Sequence, residues 1–264
     1  MPEPAAGTAS RFESFTRVDG NQAAGVILLC DHARNVLPPE YGTLCLPPGE
    51  FQRHIAYDIG AEGVTRGLAA RLGATALLTG YSRLLIDPNR GLDDPTLIMK
   101  LSDGAVVPGN RDIDCAERQR RIERYYHPYH TAIAAEIDSL LAAHIRPILV
   151  SIHSFTPAWK GNPRPWHAGI LWDRDGRLPR LFLEGLRADN SLIVGDNEPY
   201  HGALEGDTLN THGTRRGLAH ALIEIRQDLI ADQSGVDEWV ARLALILEPV
   251  MKEPGLRREA GQAG

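Results

Sequence analysis

Four places in this chain set chemically capable side chains against apolar runs: Asp31-His32 after residues 25–30, Asp87 to Arg90 after residues 83–86, His153 at the end of residues 148–152, and Glu224 with Arg226 inside residues 219–226. Two neutral imidazoles and a carboxylate are what a catalytic Zn²⁺ needs, because three protein ligands leave a fourth position for water. His32 and His153 supply the nitrogens in this reading; two structural histidines hydrogen-bonded at strand ends are the alternative. The acidic ligand is open. Asn35 lies three residues after His32, but an amide cannot neutralise the metal's charge. Asp58 is available on a predicted helix, one turn after His54, with which it shares a face. Asp31 is the rival ligand.

Arg90 and Arg226 present paired guanidinium donors that match a carboxylate, so a substrate bearing one is expected, with Asn89 beside Arg90. Arg226 could equally pair with Asp228 or Glu224. Glu224 is the general-base candidate, since a carboxylate on an otherwise apolar strand is costly unless something requires it; a buried ion pair with an arginine is the competing explanation. Alternation puts Leu222, Glu224 and Arg226 on one face. His212, Asn197 and Tyr200 are weaker candidates for lining a pocket.

The elements that must position these groups follow from periodicity. Residues 25–30, 74–78, 83–86, 148–152, 168–172, 191–194 and 219–226 read as strands. Residues 51–72 keep a helical spacing that ends at Gly73, residues 116–144 form a long helix kinked at Pro128, and residues 178–188 and 236–251 are further helices. Residues 91–116 are a long irregular excursion and residues 196–214 a polar loop. Strands alternating with helices predict an α/β fold: one domain, a three-layer sandwich around a central mixed, mostly parallel sheet. Its span is 21–254, with a loosely held lead-in at 1–20 and a tail at 255–264.

Composition narrows the class. A chain of 264 residues with a net charge of -6 has no dominant basic face for a phosphate backbone, and the basic run at residues 118–121 reads as solvated helix surface. Three scattered cysteines suggest neither disulfides nor a zinc knot; Cys30 beside Asp31 reads as a small buried hydrophobe before it reads as a nucleophile. A basic-then-apolar leader and a membrane-length apolar run are both missing, so a cytoplasmic protein with small-molecule partners, no nucleic acid and no membrane contact is expected. These features leave oligomeric state open.

Taken together, DHARN (31–35), HIAYDIGA (54–61), SRLLIDPNR (82–90), HSFTP (153–157) and EIRQDL (224–229) occur in one order. In that order the chain resembles the N-formylglutamate amidohydrolase family of the zinc carboxypeptidase-like superfamily, whose members read DHAxN, HIAxDIGA, SRLxxDxNR, HSFTP and EIRQDL. The resemblance spans residues 25 to 250. It implies a metal-dependent amide hydrolase: His32 and His153 match the metal-binding histidines, the family's acidic ligand favours Asp58 over Asp31, Glu224 matches the catalytic glutamate and Arg90 the substrate-carboxylate arginine. Asn35 in place of glutamate departs from the peptidases. The implied reaction is hydrolysis of N-formyl-L-glutamate to formate and glutamate, Glu224 taking a proton from water and returning it to the departing amine. Zinc suits the ligand set, and other divalent transition metals would also be accepted. Two carboxylates call for a second cation, for which Arg111, Arg215 and Arg216 are available. The alternatives are a hydrolase of another N-acyl amino acid or small carboxylate-bearing amide, and a non-catalytic carboxylate-binding protein.

Overall fold

Most of the aliphatic runs become strands and most of the amphipathic segments become helices in a computed structural model that describes residues 12–258. The strands are β1 (Phe15–Val18), β2 (Val26–Cys30), β3 (Thr75–Thr79), β4 (Leu101–Ser102), β5 (Ala105–Val106), β6 (Ile148–Phe155), β7 (Ala158–Trp159), β8 (Asn162–Pro163), β9 (Ala168–Leu171), β10 (Val194–Asp196) and β11 (His220–Arg226). The α-helices are α1 (Ala61–Leu72), α2 (Cys115–Arg121), α3 (His127–Ala142), α4 (Arg177–Arg187), α5 (Thr208–His212) and α6 (Gln233–Val250). One seven-stranded sheet runs β1-β3-β2-β6-β11-β9-β10, and β4–β5 and β7–β8 are small hairpins. Strands β3, β2, β6 and β11 are parallel, β1 and β9 join antiparallel, and β10 runs parallel to β9. This is the expected single-domain α/β sandwich with a mixed, mostly parallel sheet.

Alternation along each strand sends side chains to two cores. Leu28, Val150 and Ile223 pack with Leu68 of α1, Phe182 of α4 and Leu243 of α6 on one face. On the other, Leu29, Leu149 and Leu222 pack with Tyr129 and Ile133 of α3 and Leu209 of α5. That second face also carries Ser151, His153 and Glu224, so the parity of the strands decides which residues reach the site.

Several expectations are corrected. The predicted helix over 51–72 begins only at Ala61; a 3₁₀ turn at Pro48–Gln52 and further turns precede it. The break is built in at Gly60, whose φ of +82° suits glycine and whose added Cβ would lie 2.2 Å from the Ile230 carbonyl oxygen. Asp58 therefore sits in a turn, and His54 faces Asp103 at 3.5 Å instead of holding Asp58 across a helical turn. The predicted strand at 83–86 is a turn, since the edge of β3 is taken by β1 and the Ser82 hydroxyl bonds locally to the Leu84 amide and the Ala56 carbonyl. Phe15–Val18 thus belongs to the sheet and not to a loose lead-in; residues 1–11 and 259–264 of the lead-in and tail lie outside the described residues. The polar loop at 196–214 contains α5, capped by Asp207 accepting from the Asn210 amide at 2.6 Å.

The kink near Pro128 takes the form of a π turn, Ile122–Tyr126, between α2 and α3. Arg121 is not solvated surface: it is 2% exposed and donates to the Leu85 carbonyl and the Asn110 side chain. Cys30 is fully buried, and burial pushes its thiol well up, which suits a small hydrophobe. No helix among the described residues is long and apolar enough to cross a membrane.

Candidate metal centre

His32 follows β2, Asp58 precedes α1, and His153 lies within β6, which continues two residues past it to Phe155. All three are buried, and one donor atom from each lies within 4.8 Å of the others. Asp58 Oδ2 is 3.2 Å from His32 Nδ1 and 2.8 Å from His153 Nδ1. The far nitrogens are held from behind, His32 Nε2 by Asp87 at 2.7 Å and His153 Nε2 by Asp31 at 3.1 Å. If each imidazole donates from Nε2 to its carboxylate, both Nδ1 lone pairs converge on a carboxylate oxygen. Three lone-pair atoms facing one another repel unless protons or a metal cation sit among them, and two imidazole nitrogens with one carboxylate are a donor set that fits a divalent metal, Asp31 and Asp87 then fixing the tautomers.

Without an ion the same groups pair by charge: burial would lower the His153 imidazole, but hydrogen bonds to Asp31 and Asp58 and their negative charges hold it well above its ordinary range. Burial alone would push the Asp31 carboxyl up, but His153, His32 and the Thr208 hydroxyl bring it down to about 2. Asp31 is further held by Tyr129 Oη at 2.9 Å and Ser151 Oγ at 3.0 Å. It braces His153 and stands apart from the two converging Nδ1 atoms. Asp58 is lowered well below the usual carboxylate range, because the two histidines outweigh its burial.

Register places Glu224 of β11 beside His153 of β6. Both face a cleft of about 250 Å³ also bordered by Asn89, Arg90, Tyr200 and Asp207. Glu224 is 6% exposed and its Oε2 is buried with no hydrogen-bond partner. Burial pushes its carboxyl up to about 7, with Asp58 adding to the shift while His153, His32 and Arg83 oppose it. Among the described residues no carboxylate pairs with Arg90, which bonds only to the Thr96 hydroxyl and the Asn89 carbonyl.

Arg226 and His212 are placed elsewhere. Arg226 ends β11 on the cleft face, but its guanidinium is taken by Asp228 at 2.8 and 3.2 Å and it does not line the cleft. His212 lies behind the cleft, its Nε2 2.9 Å from His130 Nδ1, while His130 Nε2 is 2.9 Å from the Pro88 carbonyl. A carbonyl only accepts, so neutral His130 donates to Pro88 and accepts from His212. Tyr126 Oη donates to the Arg90 carbonyl at 2.9 Å, and the Thr208 amide donates to Asn89 Oδ1 at 3.1 Å. His212 thus supports residues 88–90 from behind. Arg216 pairs with Asp138, and Arg215 lies 3.8 Å from Glu205.

One group was missed. Arg83 lines the cleft and reaches Asp87 at 2.6 Å and Asp58 at 3.6 Å. The spacing of Arg83 and Asp87 in SRLLIDPNR was the available signal, obscured by reading those residues as a strand.

The sequence profile of the N-formylglutamate amidohydrolase family matches residues 24–231. The chain belongs to the N-formylglutamate amidohydrolase family. It is 27% identical over 210 residues to the N-formylglutamate deformylase of Pseudomonas aeruginosa, covering 70% of this chain and 75% of that protein. Among solved structures, a gene product from Agrobacterium tumefaciens superposes with a TM-score of 0.85 at 34% identity, covering 92% of this chain and 98% of the other. The N-formylglutamate amidohydrolase from Ralstonia eutropha superposes with a TM-score of 0.69 at 24% identity, covering 93% and 98%. The latter likeness is one of fold.

Proposed function

We propose that the chain is a metal-dependent amidohydrolase that cleaves the N-formyl amide of an N-formyl amino acid, with N-formyl-L-glutamate as the reference substrate, to formate and the free amino acid. The observation that carries this reading is the convergence of His32, Asp58 and His153 beside an unpartnered, buried Glu224 in a cleft of this family's fold. His32 Nδ1, His153 Nδ1 and Asp58 would hold the metal, zinc by ligand type. When bound there, such an ion supplies Lewis-acid polarisation of the formyl carbonyl and eases deprotonation of water.

The chain's own groups do the rest. Glu224 accepts a proton from the water whose oxygen adds to the formyl carbon, and returns it to the nitrogen as the C–N bond breaks. Burial raises its carboxyl to about 7, which makes it a stronger base than an exposed glutamate. Arg83 contributes a fixed positive charge beside the developing oxyanion, held in place by Asp87. Arg90, with Asn89 alongside, holds the α-carboxylate, and the bonds from Tyr126 and Thr208 keep that segment from shifting.

Metal content measured on purified protein alongside formate release from N-formylglutamate tests the reading. Near-stoichiometric metal with stoichiometric formate is expected; metal-replete protein that releases no formate from any N-formyl amino acid would overturn it.

A further inference from the structure

Beyond Glu224 the cleft is lined by leucines together with uncharged polar groups, and neither lining arginine lies on β11. His220, Leu222 and Glu224 face it in a row along β11, a span of about 13 Å at the rise of a strand. Leu171 sits beside Leu222 across the β11–β9 pair, and Leu204 and Leu209 also line the cleft. Its far end is closed by Thr214 Oγ1 and His220 Nε2, 3.1 Å apart. His220 Nδ1 is engaged by the Leu218 carbonyl at 2.7 Å, and burial pushes the imidazole below its ordinary range, so His220 is neutral there.

The two arginines that line the cleft stand elsewhere, on the 82–90 segment, and Arg83 is taken up by Asp87 and Asp58. A glutamate side chain directed along this row would pass the leucines and meet Thr214 and neutral His220, already bonded to each other, its carboxylate losing water without gaining a cation. An apolar side chain there would bury hydrocarbon against hydrocarbon.

We propose that this cleft takes N-formyl amino acids with uncharged apolar side chains, of leucine, methionine or phenylalanine size, at least as well as N-formylglutamate. The side chain lies along Leu171, Leu222 and Leu209 while Arg90 holds the α-carboxylate. The inference rests on the amidohydrolase reading of the same site, and the bond changes are the same: water oxygen joins the formyl carbon, the C–N bond breaks, and the amine takes the proton. The competing cation is Arg164, which donates to Tyr200 Oη at 3.0 Å and Thr156 Oγ1 at 3.1 Å, two residues that line the cleft, and lies 4.9 Å over the Tyr200 ring.

Calorimetry on Glu224→Gln protein compares N-formyl-leucine with N-formylglutamate without requiring turnover, and kcat/KM on the zinc-loaded wild type compares them as substrates. N-formyl-leucine is expected to bind and react as well as N-formylglutamate or better. Leu222→Lys should turn that ratio toward glutamate by about tenfold or more; if that variant does not fold, Leu204→Arg, at a partly exposed position of the same wall, makes the same test. Binding and cleavage of N-formylglutamate with N-formyl-leucine tenfold or more weaker would sink this inference alone, most clearly if Arg164→Met removed the difference. Neither compound bound or cleaved would sink the amidohydrolase reading with it.

Discussion

Glu224 combines three properties that seldom coincide in a residue of purely structural purpose: nearly complete burial, an oxygen with no partner, and a place beside His153 in the sheet. Glu224→Gln keeps the shape and removes the proton acceptor. Turnover of N-formylglutamate is expected to fall by about 10²–10⁴-fold, with metal content and melting temperature nearly unchanged. Equal losses of metal and activity would instead make Glu224 part of the ligand set. His212 carries a different prediction. Burial and the neighbouring His130 push it down to about 3, whereas in the unfolded chain it titrates near 6.5. Its folded pKa is depressed, so the unfolded state binds the extra proton. Stability is therefore fully present above about 6.5 and is lost toward 3, at about 1.4 kcal/mol per pH unit. Urea unfolding between pH 7 and pH 5 should show this slope, and His212→Asn should flatten it; parallel slopes would count against the buried neutral pair.

The turn before α1 is where local backbone positions Asp58, a candidate ligand. Gly60 ends an irregular stretch in a left-handed conformation against the Ile230 carbonyl and, two residues earlier, leaves Asp58 free to turn toward both histidines. Gly60→Ala is expected to destabilise the fold by about 2 kcal/mol or more, from the positive φ and the backbone clash together. Because the strain falls beside Asp58, zinc affinity measured by competition with a chelator should weaken as well. Unchanged affinity in a destabilised variant would uncouple the turn from the site. The segment at 82–90 makes a related point. Its apolar run reads as a strand, yet with β1 on the outer edge of β3 it folds as a turn, and this brings Arg83, Asp87 and Asn89 to one place.

Across the whole molecule, the site gathers residues from β2, the turn before α1, β6 and β11, so metal binding should stabilise the native fold and not only complete the active centre. Zinc at about 100 times its dissociation constant contributes about 3 kcal/mol, which corresponds to a rise in melting temperature of about 5–10 °C for a domain of this size. Asp58→Asn should abolish most of that rise, and a melting temperature indifferent to zinc and to a strong chelator would argue against the site. The sheet's two faces divide the labour: α1, α4 and α6 close one core, while α3 and α5 close the other and leave the cleft open above β9 and β11.

The α/β class, most of the central strands and the candidate residues for metal, base and carboxylate could be read from the chain alone, because alternation, helical spacing and the five ordered motifs are local properties. His32, His153 and Glu224 emerged in this way. Tertiary structure decided which carboxylate faces both imidazoles, since Asp31 and Asp58 are equivalent in type and only strand direction and the Gly60 turn separate them. It also decided that Arg226 turns to Asp228, that His212 braces Pro88 through His130, and that Arg83 enters the cleft. Which partner a polar side chain finds depends on what the fold brings within about 3 Å of it, and sequence spacing does not encode that distance.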